Sequence, residues 1–321
     1  MNERELLARL IAGPASGDAL ARESGQTRAA IWKNIEALRA TGIGIDAQAG
    51  RGYVLRQPVE LLDSIAIVDT MSDAARADLA SLDVAWSIDS TNSALLREQT
   101  PGQGAAVLLA ERQTGGRGRR GRAWISPLAA NLYLSAARYF SGGLTRLGGL
   151  SLVAGVAVAE ALHASGYAET RLKWPNDVVI GVRKLGGILV EGGGEHAGPV
   201  RAVIGIGLNV RMPQADAVDI DQPWIDLAAA NTRLPSRNAI AADVLTHLLP
   251  ALETFDREGL APFLPRYAAV DGLVGRTITV QAGDGDHAGL ALGIADDGAL
   301  RVGLADGERV FHSGDVSVRS Q

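Results

Sequence analysis

The chain contains no cysteine, which excludes disulfide bonds and thiolate chemistry and is compatible with a reducing cytosol. Its five histidines are scattered, and none has metal-ligand spacing with another, so we expect no metal site built from side chains. The chain also lacks an excess of positive charge, because it has 31 basic and 36 acidic residues and a net charge of −5. No global positive field draws the whole molecule to nucleic acid or to an anionic membrane. Any contact with DNA must therefore be local.

Long hydrophobic runs are absent as well. The most apolar stretch, "LGGLSLVAGVAVAEAL" at 147–162, contains Glu160 and is shorter than the ~20 residues that span a bilayer, so it predicts a buried helix. The start of the chain, "MNERELLARL", is charged and helical in pattern and lacks the features of a signal peptide. We therefore expect a cytoplasmic protein without membrane contact. An apolar fraction of 47% is ample for the cores of two or three domains.

Residues 1–60 have the pattern of a winged helix-turn-helix domain. Apolar residues at helical spacing begin the segment, Ser16 and Gly25 bound a short second helix, and Thr27 can cap a third. Two helices joined by a tight turn that contains glycine are typical of a helix-turn-helix. The following "IGIDAQAGRGYVLRQP" alternates as the β-ribbon of a wing does.

This first segment carries a slight excess of basic residues although the whole chain is acidic. That sign favours phosphate contact, so we interpret the segment as a DNA-binding domain. The residues expected to contact DNA are Arg22, Thr27, Arg28, Lys33 and Arg51. The alternative is a small helical packing or dimerisation module with ordinary surface arginines. Trp32, in the third helix, has no assigned role.

The rest of the chain divides in two. Residues 64–268 alternate strands and helices without a regular helix between each pair of strands, which indicates an α+β domain with a mixed sheet. The strand candidates are "AAVLLAER", "NLYLSAARYF", "TRLKWPNDVVI", "KLGGILVEG" and "RAVIGIGLNV". Residues 271–321 show short strands with "GDGD", "DDG" and "ADG" turns, which predict a small β-barrel.

The stretch "TGGRGRRGRAW" at 114–124 contains G-x-G-x-x-G, the dinucleotide-binding fingerprint. A Rossmann turn leads directly into a helix and is followed about 20 residues later by an acid. Here "AWISP" follows, and no Asp or Glu occurs between Glu111 and Glu160. A P-loop is excluded too, because G-K-[ST] is absent. The fingerprint is therefore accidental.

What remains is a loop with five arginines and four glycines in residues 112–122. Glycines make such a loop costly to order, while arginines offer planar cations suited to phosphate. We expect a loop that is mobile when empty and folds over an anionic ligand. A solvated basic surface loop is the alternative, and it leaves the density of glycines unexplained.

Five motifs then occur in order, and together they closely resemble the catalytic domain of bacterial biotin–protein ligases. They are "DSTN" (89–92), "ERQTGGRGRRGRAWISP" (111–127), "KWPNDV" (173–178), "KLGGILVE" (184–191) and "GIGLNV" (205–210). With the helix-turn-helix in front, the chain resembles the bifunctional form, ligase and biotin-operon repressor. The resemblance implies a central domain like that of the class II synthetase-like biotin/lipoate ligases and an SH3-like C-terminal barrel.

The resemblance also implies a reaction and its partners. Biotin and Mg²⁺–ATP would form biotinyl-5′-AMP and pyrophosphate, and biotin would then pass to one lysine of the biotin carboxyl carrier protein of acetyl-CoA carboxylase. ATP, Mg²⁺ and biotin are thus the expected small molecules. Bound biotinyl-AMP would favour a homodimer that places two helix-turn-helix units on operator DNA.

Residue by residue, the family's biotin contacts fall on a set spread along the catalytic domain. The set implied for biotin is Ser90, Thr91, Asn92, Gln113, Gly116, Arg117 and Lys184. Ser90 and Thr91 alone could equally be the N-cap of a helix over "NSALLREQ".

Three residues are implied in the chemistry. Lys184 would contact the biotin carboxylate and the α-phosphate, Arg119 would lie along the phosphates, and Asp177 would steer or deprotonate the acceptor lysine. Asp177 could instead cap a turn between strands, and Trp224 could belong to the core rather than cover adenine. The set implied for ATP or the adenylate is Arg117, Gly118, Arg119, Arg120, Arg122, Trp124, Lys173, Asn176, Asn209 and Trp224.

Two other functions share parts of this pattern. A lipoate or octanoate transferase relative would share the catalytic architecture but is not expected to carry "GRGRRG" behind a helix-turn-helix. A biotin-sensing regulator without catalysis is expected to lose Lys184 or the arginines, and all of them are present. The Gly-rich "EGGGEHAGPV" at 191–200 predicts a surface turn.

Overall fold

The computed structural model describes residues 1–141, 143, 147–193, 199–214, 216–231, 235–313 and 317–320. The chain begins with three helices and a two-stranded antiparallel ribbon. These are α1 (Glu3–Ile11), α2 (Gly17–Ser24), α3 (Arg28–Ala40), β1 (Ile45–Gln48) and β2 (Gly52–Leu55).

Local sequence explains the ends of these helices. The side chains of Ser16 and Thr27 accept hydrogen bonds from Ala19 N and Ala30 N, so each caps the helix that follows it. Gly25 ends α2 in the left-handed region with φ 65°, which glycine adopts without steric cost. The predicted winged helix-turn-helix is confirmed, including the ribbon.

The central domain is built on a seven-stranded sheet in the order β3-β4-β5-β9-β8-β7-β6. Its strands are β3 (Leu79–Ala85), β4 (Ala105–Ala110), β5 (Leu132–Phe140), β6 (Thr170–Lys173), β7 (Asp177–Ile180), β8 (Arg183–Gly193) and β9 (Val200–Leu208). β3 and β4 run parallel, whereas the other neighbouring pairs are antiparallel. The sheet is mixed, as predicted.

Helices cover the two faces of this sheet unequally. They are α4 (Ser64–Thr70), α5 (Asp73–Ala77), α6 (Thr91–Arg97), α7 (Leu150–Ala164), α8 (Leu227–Ala230), α9 (Arg237–Glu258) and α10 (Leu264–Val270). α7 and α9 share the main apolar core with one face of the sheet. The short α6 packs on the opposite face, in a smaller cluster with Leu108, Ala137 and Val203. Much of the second face is therefore left for a site.

The apolar stretch at 147–162 forms most of α7, which is buried on almost every side, so the predicted buried helix is confirmed. In the described ranges, we find no helix with the length and apolar character needed to cross a membrane.

Two strand assignments differ from the prediction. The candidate "TRLKWPNDVVI" forms two strands, β6 and β7, because the chain turns at 174–176 and pairs Lys173 with Asp177. β3 was not predicted at all. Its burial pattern does not alternate, and most of its residues are partly or fully exposed, so the usual periodic signal is missing.

The C-terminal segment forms a five-stranded antiparallel sheet in the order β13-β12-β11-β10-β14. The strands are β10 (Thr277–Ala282), β11 (Gly285–Ile294), β12 (Leu300–Leu304), β13 (Gly307–Phe311) and β14 (Ser317–Ser320). Trp174 Nε1 donates to Gly298 O at 3.0 Å, which joins this small β domain to the central one. Residues 194–198 of the predicted surface turn lie outside the described residues.

Candidate functional site

The open face of the central sheet has a floor of glycines, which we call the glycine floor: Gly187, Gly205 and Gly207. Register places Gly187 opposite Gly207, and side chains alternate between faces along each strand. A Cβ built at Gly207 would lie 2.6 Å from the Trp124 ring, and one at Gly205 would lie 2.3 Å from Asn92 Oδ1. The floor thus lacks side chains because other groups lie directly on its backbone.

A group of buried and partly buried polar side chains borders this floor at the start of α6. This polar cluster consists of Thr91, Asn92, Gln113 and Ser135. Gln113 Oε1 accepts from Thr91 N at 2.8 Å and from Thr91 Oγ1 at 3.1 Å, while Ser135 Oγ donates to Asn92 Oδ1 at 2.6 Å. Buried polar groups held in this way keep a fixed orientation. They give one end of the site a few aimed hydrogen-bonding groups beside apolar surface.

The charged residue two positions before Thr91 is also held in place. Asp89 forms two hydrogen bonds with Arg97, at 2.7 and 2.9 Å. The Arg97 guanidinium beside Asp89 holds the pKa of that carboxyl down, to about 2. Ser90, next in sequence, is the N-cap of α6 and accepts from Ser93 N. Its predicted capping role is therefore observed, and a ligand contact would come in addition to it.

Residues 112–127, which we call the Arg/Gly loop, connect β4 to β5. Gly118 N donates to Arg122 O at 2.8 Å and Trp124 N donates to Gly116 O at 2.9 Å, so the segment forms a narrow turn. Its tip is a single 3₁₀ turn and no helix follows. This agrees with the conclusion that the G-x-G-x-x-G pattern is accidental.

The Arg/Gly loop lies against the sheet in this structure. Arg117 pairs with Glu191 at 3.0 Å, and Glu191 also accepts from Asn92 Nδ2 at 2.9 Å. Arg119 lies 3.5 Å from Asn176 Oδ1 and donates to Ser313 O of the C-terminal domain. Arginines of the loop thus contact both strand β8 and the β domain, and closure of the loop over a ligand stays a prediction.

Lys184 and Asp177 form an ion pair of 2.6 Å at the other end of the glycine floor. The Lys184 ammonium lies 5.6 Å from the centroid of the Trp124 ring, within range of a cation–π contact. Both side chains of the pair are one-fifth exposed. A cation and a carboxylate thus lie side by side in a mostly buried position, where interactions between charges are stronger than in water.

Two of the predicted adenylate residues, Trp224 and Asn209, lie next to the backbone of Lys184 or hold the segment that does. Lys184 N donates to Pro223 O and Ile225 N donates to Lys184 O, each at 2.9 Å, so the segment holding Trp224 runs beside β8. Asn209 is buried, and its amide donates to Ile225 O at 3.1 Å. Asn209 therefore holds the Trp224 segment in place.

The remaining adenylate candidates lie at the margins. Arg120 and Arg122 are exposed on the tip of the Arg/Gly loop, and Lys173 begins the turn that ends at Asp177. Asn176 is fixed by its amide, which donates to Ile188 O at 2.7 Å. Lys184, Asp177 and Trp124 thus lie together at the glycine floor, Arg120 and Arg122 stay exposed at the loop tip, and the individual roles remain predictions.

The DNA-binding candidates lie in the N-terminal domain, around α3 and the ribbon. Arg28 pairs with Asp18 at 3.2 Å, and Arg51 donates to Gln48 at the ribbon tip at 3.1 Å. Lys33 is exposed, and Trp32 is 57% exposed on α3. The outer side of α3 is therefore basic and aromatic.

Sequence reasoning missed two polar residues and the glycine floor. Glu191 and Ser135 stand 99 and 43 residues from the Asn92 they contact, so spacing could not join them. The "GG" at 186–187 and the "GIG" at 205–207 carried a usable signal. Repeated glycines inside strands often mark the close approach of another group.

Comparison with known proteins covers all three parts of the chain. The Biotin/lipoate A/B protein ligase family matches residues 84–209, the HTH domain matches 2–54, and the Biotin protein ligase C terminal domain matches 273–319. The structure also resembles biotin protein ligase from Aquifex aeolicus in complex with biotin and ATP, with a TM-score of 0.64. That match has 27% identity and covers 75% of this chain and 100% of that one.

Curated relatives match over nearly the full length. The Bifunctional ligase/repressor BirA of Escherichia coli is 39% identical over 305 residues, 95% of this chain and 93% of that protein. The Biotin--[acetyl-CoA-carboxylase] ligase of Mycobacterium tuberculosis is 35% identical, covering 82% of this chain and 96% of that protein. Identity at this level, together with the glycine floor and the Arg/Gly loop, leads to one conclusion: the chain belongs to the family of bifunctional biotin–protein ligase/repressors.

Proposed function

We propose that the chain joins biotin to ATP as biotinyl-5′-AMP and then transfers the biotinyl group to a lysine of the biotin carboxyl carrier protein of acetyl-CoA carboxylase. The observation that carries this proposal is the juxtaposition of three parts on one sheet face. These are the polar cluster, the glycine floor under Trp124, and the Lys184–Asp177 pair at 2.6 Å.

Biotin fits this face end to end. Its ureido ring is polar and would exchange hydrogen bonds with Thr91 and Gln113, which already bond to each other. Its apolar ring system and chain would lie along the Trp124 ring, which covers the glycine floor, where apolar surface is removed from water. The carboxylate would then reach Lys184 at the far end.

In the first step a carboxylate oxygen of biotin attacks the α-phosphorus of ATP, and pyrophosphate leaves. Negative groups are brought together, so catalysis requires positive charge placed where the pentacovalent phosphorus forms. Lys184 supplies one cation, and Arg117 and Arg119 of the Arg/Gly loop supply two more. Closure of the loop also keeps water from the mixed anhydride.

In the second step the amine of the acceptor lysine attacks the carbonyl carbon of biotinyl-AMP, and AMP leaves. The attacking ammonium must lose a proton to become nucleophilic. Asp177 is the carboxylate at this end of the site, 2.6 Å from Lys184, and would accept that proton or orient the amine.

Mg²⁺ enters this proposal as part of the ATP substrate. No group of three or more acidic or histidine side chains in the described ranges is placed to hold a metal. The triphosphate oxygens are the ligands that Mg²⁺ prefers in such reactions. The chain's own contribution is then the arginines that face the triphosphate.

Mass measurement of a carrier domain tests the ligase function. Incubation of the full chain with carrier domain, biotin and Mg²⁺–ATP is expected to add one biotinyl group to one lysine. Omitting ATP should abolish the addition, and replacing the acceptor lysine with arginine should remove the modified species. An unmodified carrier under complete conditions, with the chain folded, would contradict the proposal and favour a regulator without catalysis.

We also propose that the chain, loaded with biotinyl-AMP, dimerises and binds operator DNA as a repressor. The helix-turn-helix and the exposed basic residues of α3 support DNA contact, since the second helix of this motif enters the major groove. Sedimentation with and without biotinyl-AMP measures the dimer. Both proposed partners, the carrier protein and the operator, place this function in the cytoplasm.

Replacing Trp32 with alanine is expected to weaken operator binding about tenfold, because burying a large apolar side chain contributes about 1.5–3 kcal/mol. Trp32 is 57% exposed one turn after Arg28, so it would face the groove if α3 is the recognition helix. The slope of log affinity against log salt should not change, whereas Lys33→Ala should reduce it by about one. Titration of a duplex selected by the wild-type chain from a random pool provides both numbers. If the Trp32→Ala variant bound the duplex with the same affinity as the wild-type chain, this contact would be excluded.

A further inference from the structure

A buried carboxylate lies at the base of the Arg/Gly loop. Glu111, the residue before the loop, has 0% exposure. Its two oxygens accept from Leu62 N at 2.6 Å and from Arg237 Nη1 at 2.7 Å. Its backbone oxygen accepts from Ala129 N at 2.9 Å, which closes the loop's stem. Glu111 thus holds the stem of the loop through its backbone and contacts residues outside the loop through its side chain.

The outside contact is the domain linker, residues 58–63, between the DNA-binding and central domains. Arg237 Nη1 also donates to Glu60 O at 2.8 Å, and Arg237 Nε donates to Asn131 O at 3.0 Å. Asn238 adds a clamp, donating to Leu61 O at 2.9 Å and accepting from Asp63 N at 2.8 Å. The linker is therefore bound to the first turn of α9.

The other end of the loop enters the DNA-binding domain itself. Leu128, just after the Arg/Gly loop, is 3% exposed and belongs to the apolar core formed by α1, α2 and α3. Leu61 of the linker and Trp86 pack against the same core. One flank of the loop is thus attached to the linker and to α9, through Leu62 N and the buried Glu111–Arg237 pair, and the other flank is attached to the DNA-binding domain through apolar packing.

We propose that Glu111 and Arg237 couple closure of the Arg/Gly loop to the seating of the DNA-binding domain within one chain. Separating a buried ion pair is strongly unfavourable, so a movement of the stem must carry the linker with it. Coupling between two sites is reciprocal. Glu111 is then a positioning residue for adenylate retention and for ligand-dependent DNA binding. This inference rests on the proposed ligase and repressor function.

The test compares Glu111→Gln with the wild-type full chain. Glutamine keeps the shape and an acceptor for Leu62 N but removes the charge. Release of biotinyl-AMP is expected to be about tenfold faster, and the increase in operator affinity caused by biotinyl-AMP should fall by a similar factor. The initial rate of pyrophosphate release should stay within about twofold, because Glu111 is not among the residues proposed to contact biotin or ATP.

Several measurements make this test specific. Operator binding is measured on the selected duplex above the dimerisation constant found by sedimentation, so that a weaker dimer is not mistaken for weaker coupling. Glu160→Gln is the matched control, because Glu160 pairs with Arg266 at 2.6 and 2.9 Å between α7 and α10, away from the linker. It should leave both quantities unchanged.

The coupling would be overturned if Glu111→Gln released biotinyl-AMP faster but kept the full increase in operator affinity. It would also be overturned if both quantities had wild-type values. If Glu111→Gln does not fold, Asn238→Ala decides by the same two measurements, since it removes two of the hydrogen bonds that hold the linker without removing a buried charge. A wild-type chain that forms no biotinyl-AMP would instead contradict the proposed function. The two failures are therefore distinguishable.

Discussion

Alanine at Lys184 is expected to lower biotin-dependent ATP–pyrophosphate exchange by about 10²- to 10³-fold, the usual cost of removing one group that stabilises transition-state charge. Lys184 is the cation at the end of the glycine floor, 2.6 Å from Asp177 and 5.6 Å from the Trp124 centroid. Its removal leaves the carboxylate of Asp177 facing two anionic substrates. The Michaelis constant for biotin should rise less than the rate falls, because the charge matters most in the transition state.

Two further variants make the test of Lys184 specific. Lys33→Ala removes a lysine from the DNA-binding domain and should leave exchange unchanged. Lys184→Arg keeps the charge but replaces a compact ammonium with a planar guanidinium, so it should recover only part of the activity. Near-normal exchange in Lys184→Ala, with the fold intact, would show that the arginines of the loop supply the required positive charge without Lys184.

Much of this site could be expected from the sequence because its residues lie in short, locally defined motifs. Ser90 precedes a helix and caps it, and "KWPND" forms a turn between paired strands. The density of arginine and glycine predicted an anion-binding loop, and the structure places Arg117 and Arg119 against the sheet and the β domain. The family and the fold class are confirmed. The roles given to single residues stay predictions.

What the sequence could not provide is contact between distant segments. Glu111 was noted only as the last acid before the loop, yet it meets Arg237 across 126 residues. Leu128 directly follows the motif at 111–127 that was attributed to the ligand site, yet it packs in the core of another domain. Neither contact has a periodicity or spacing signal, because both depend on how the domains pack together. These contacts join the central domain to the linker and to the DNA-binding domain.

Arg237→Ala is expected to reduce the free energy of unfolding by about 3–5 kcal/mol, the cost of leaving one partner of a buried ion pair alone. The side chains of Arg237 and Glu111 are only 4% and 1% exposed, so water cannot replace the lost partner. Arg237 also donates to Glu60 O and Asn131 O, and those carbonyls would lose a donor. Denaturation by urea, followed by far-ultraviolet circular dichroism, measures the change.

Arg266→Ala is the matched control, because Arg266 pairs with Glu160 where both side chains remain about one-third exposed. Its loss should cost no more than about 1 kcal/mol, as is usual for pairs that water still reaches. In the double variant Glu111→Gln/Arg237→Met no charge is buried, so much of the lost stability should return. If the double variant regained stability but still released biotinyl-AMP faster than the wild-type chain, the role of the pair in stability would be separate from its role in coupling. Equal losses in Arg237→Ala and Arg266→Ala would mean that burial of the Glu111 charge is not what makes this contact costly to break.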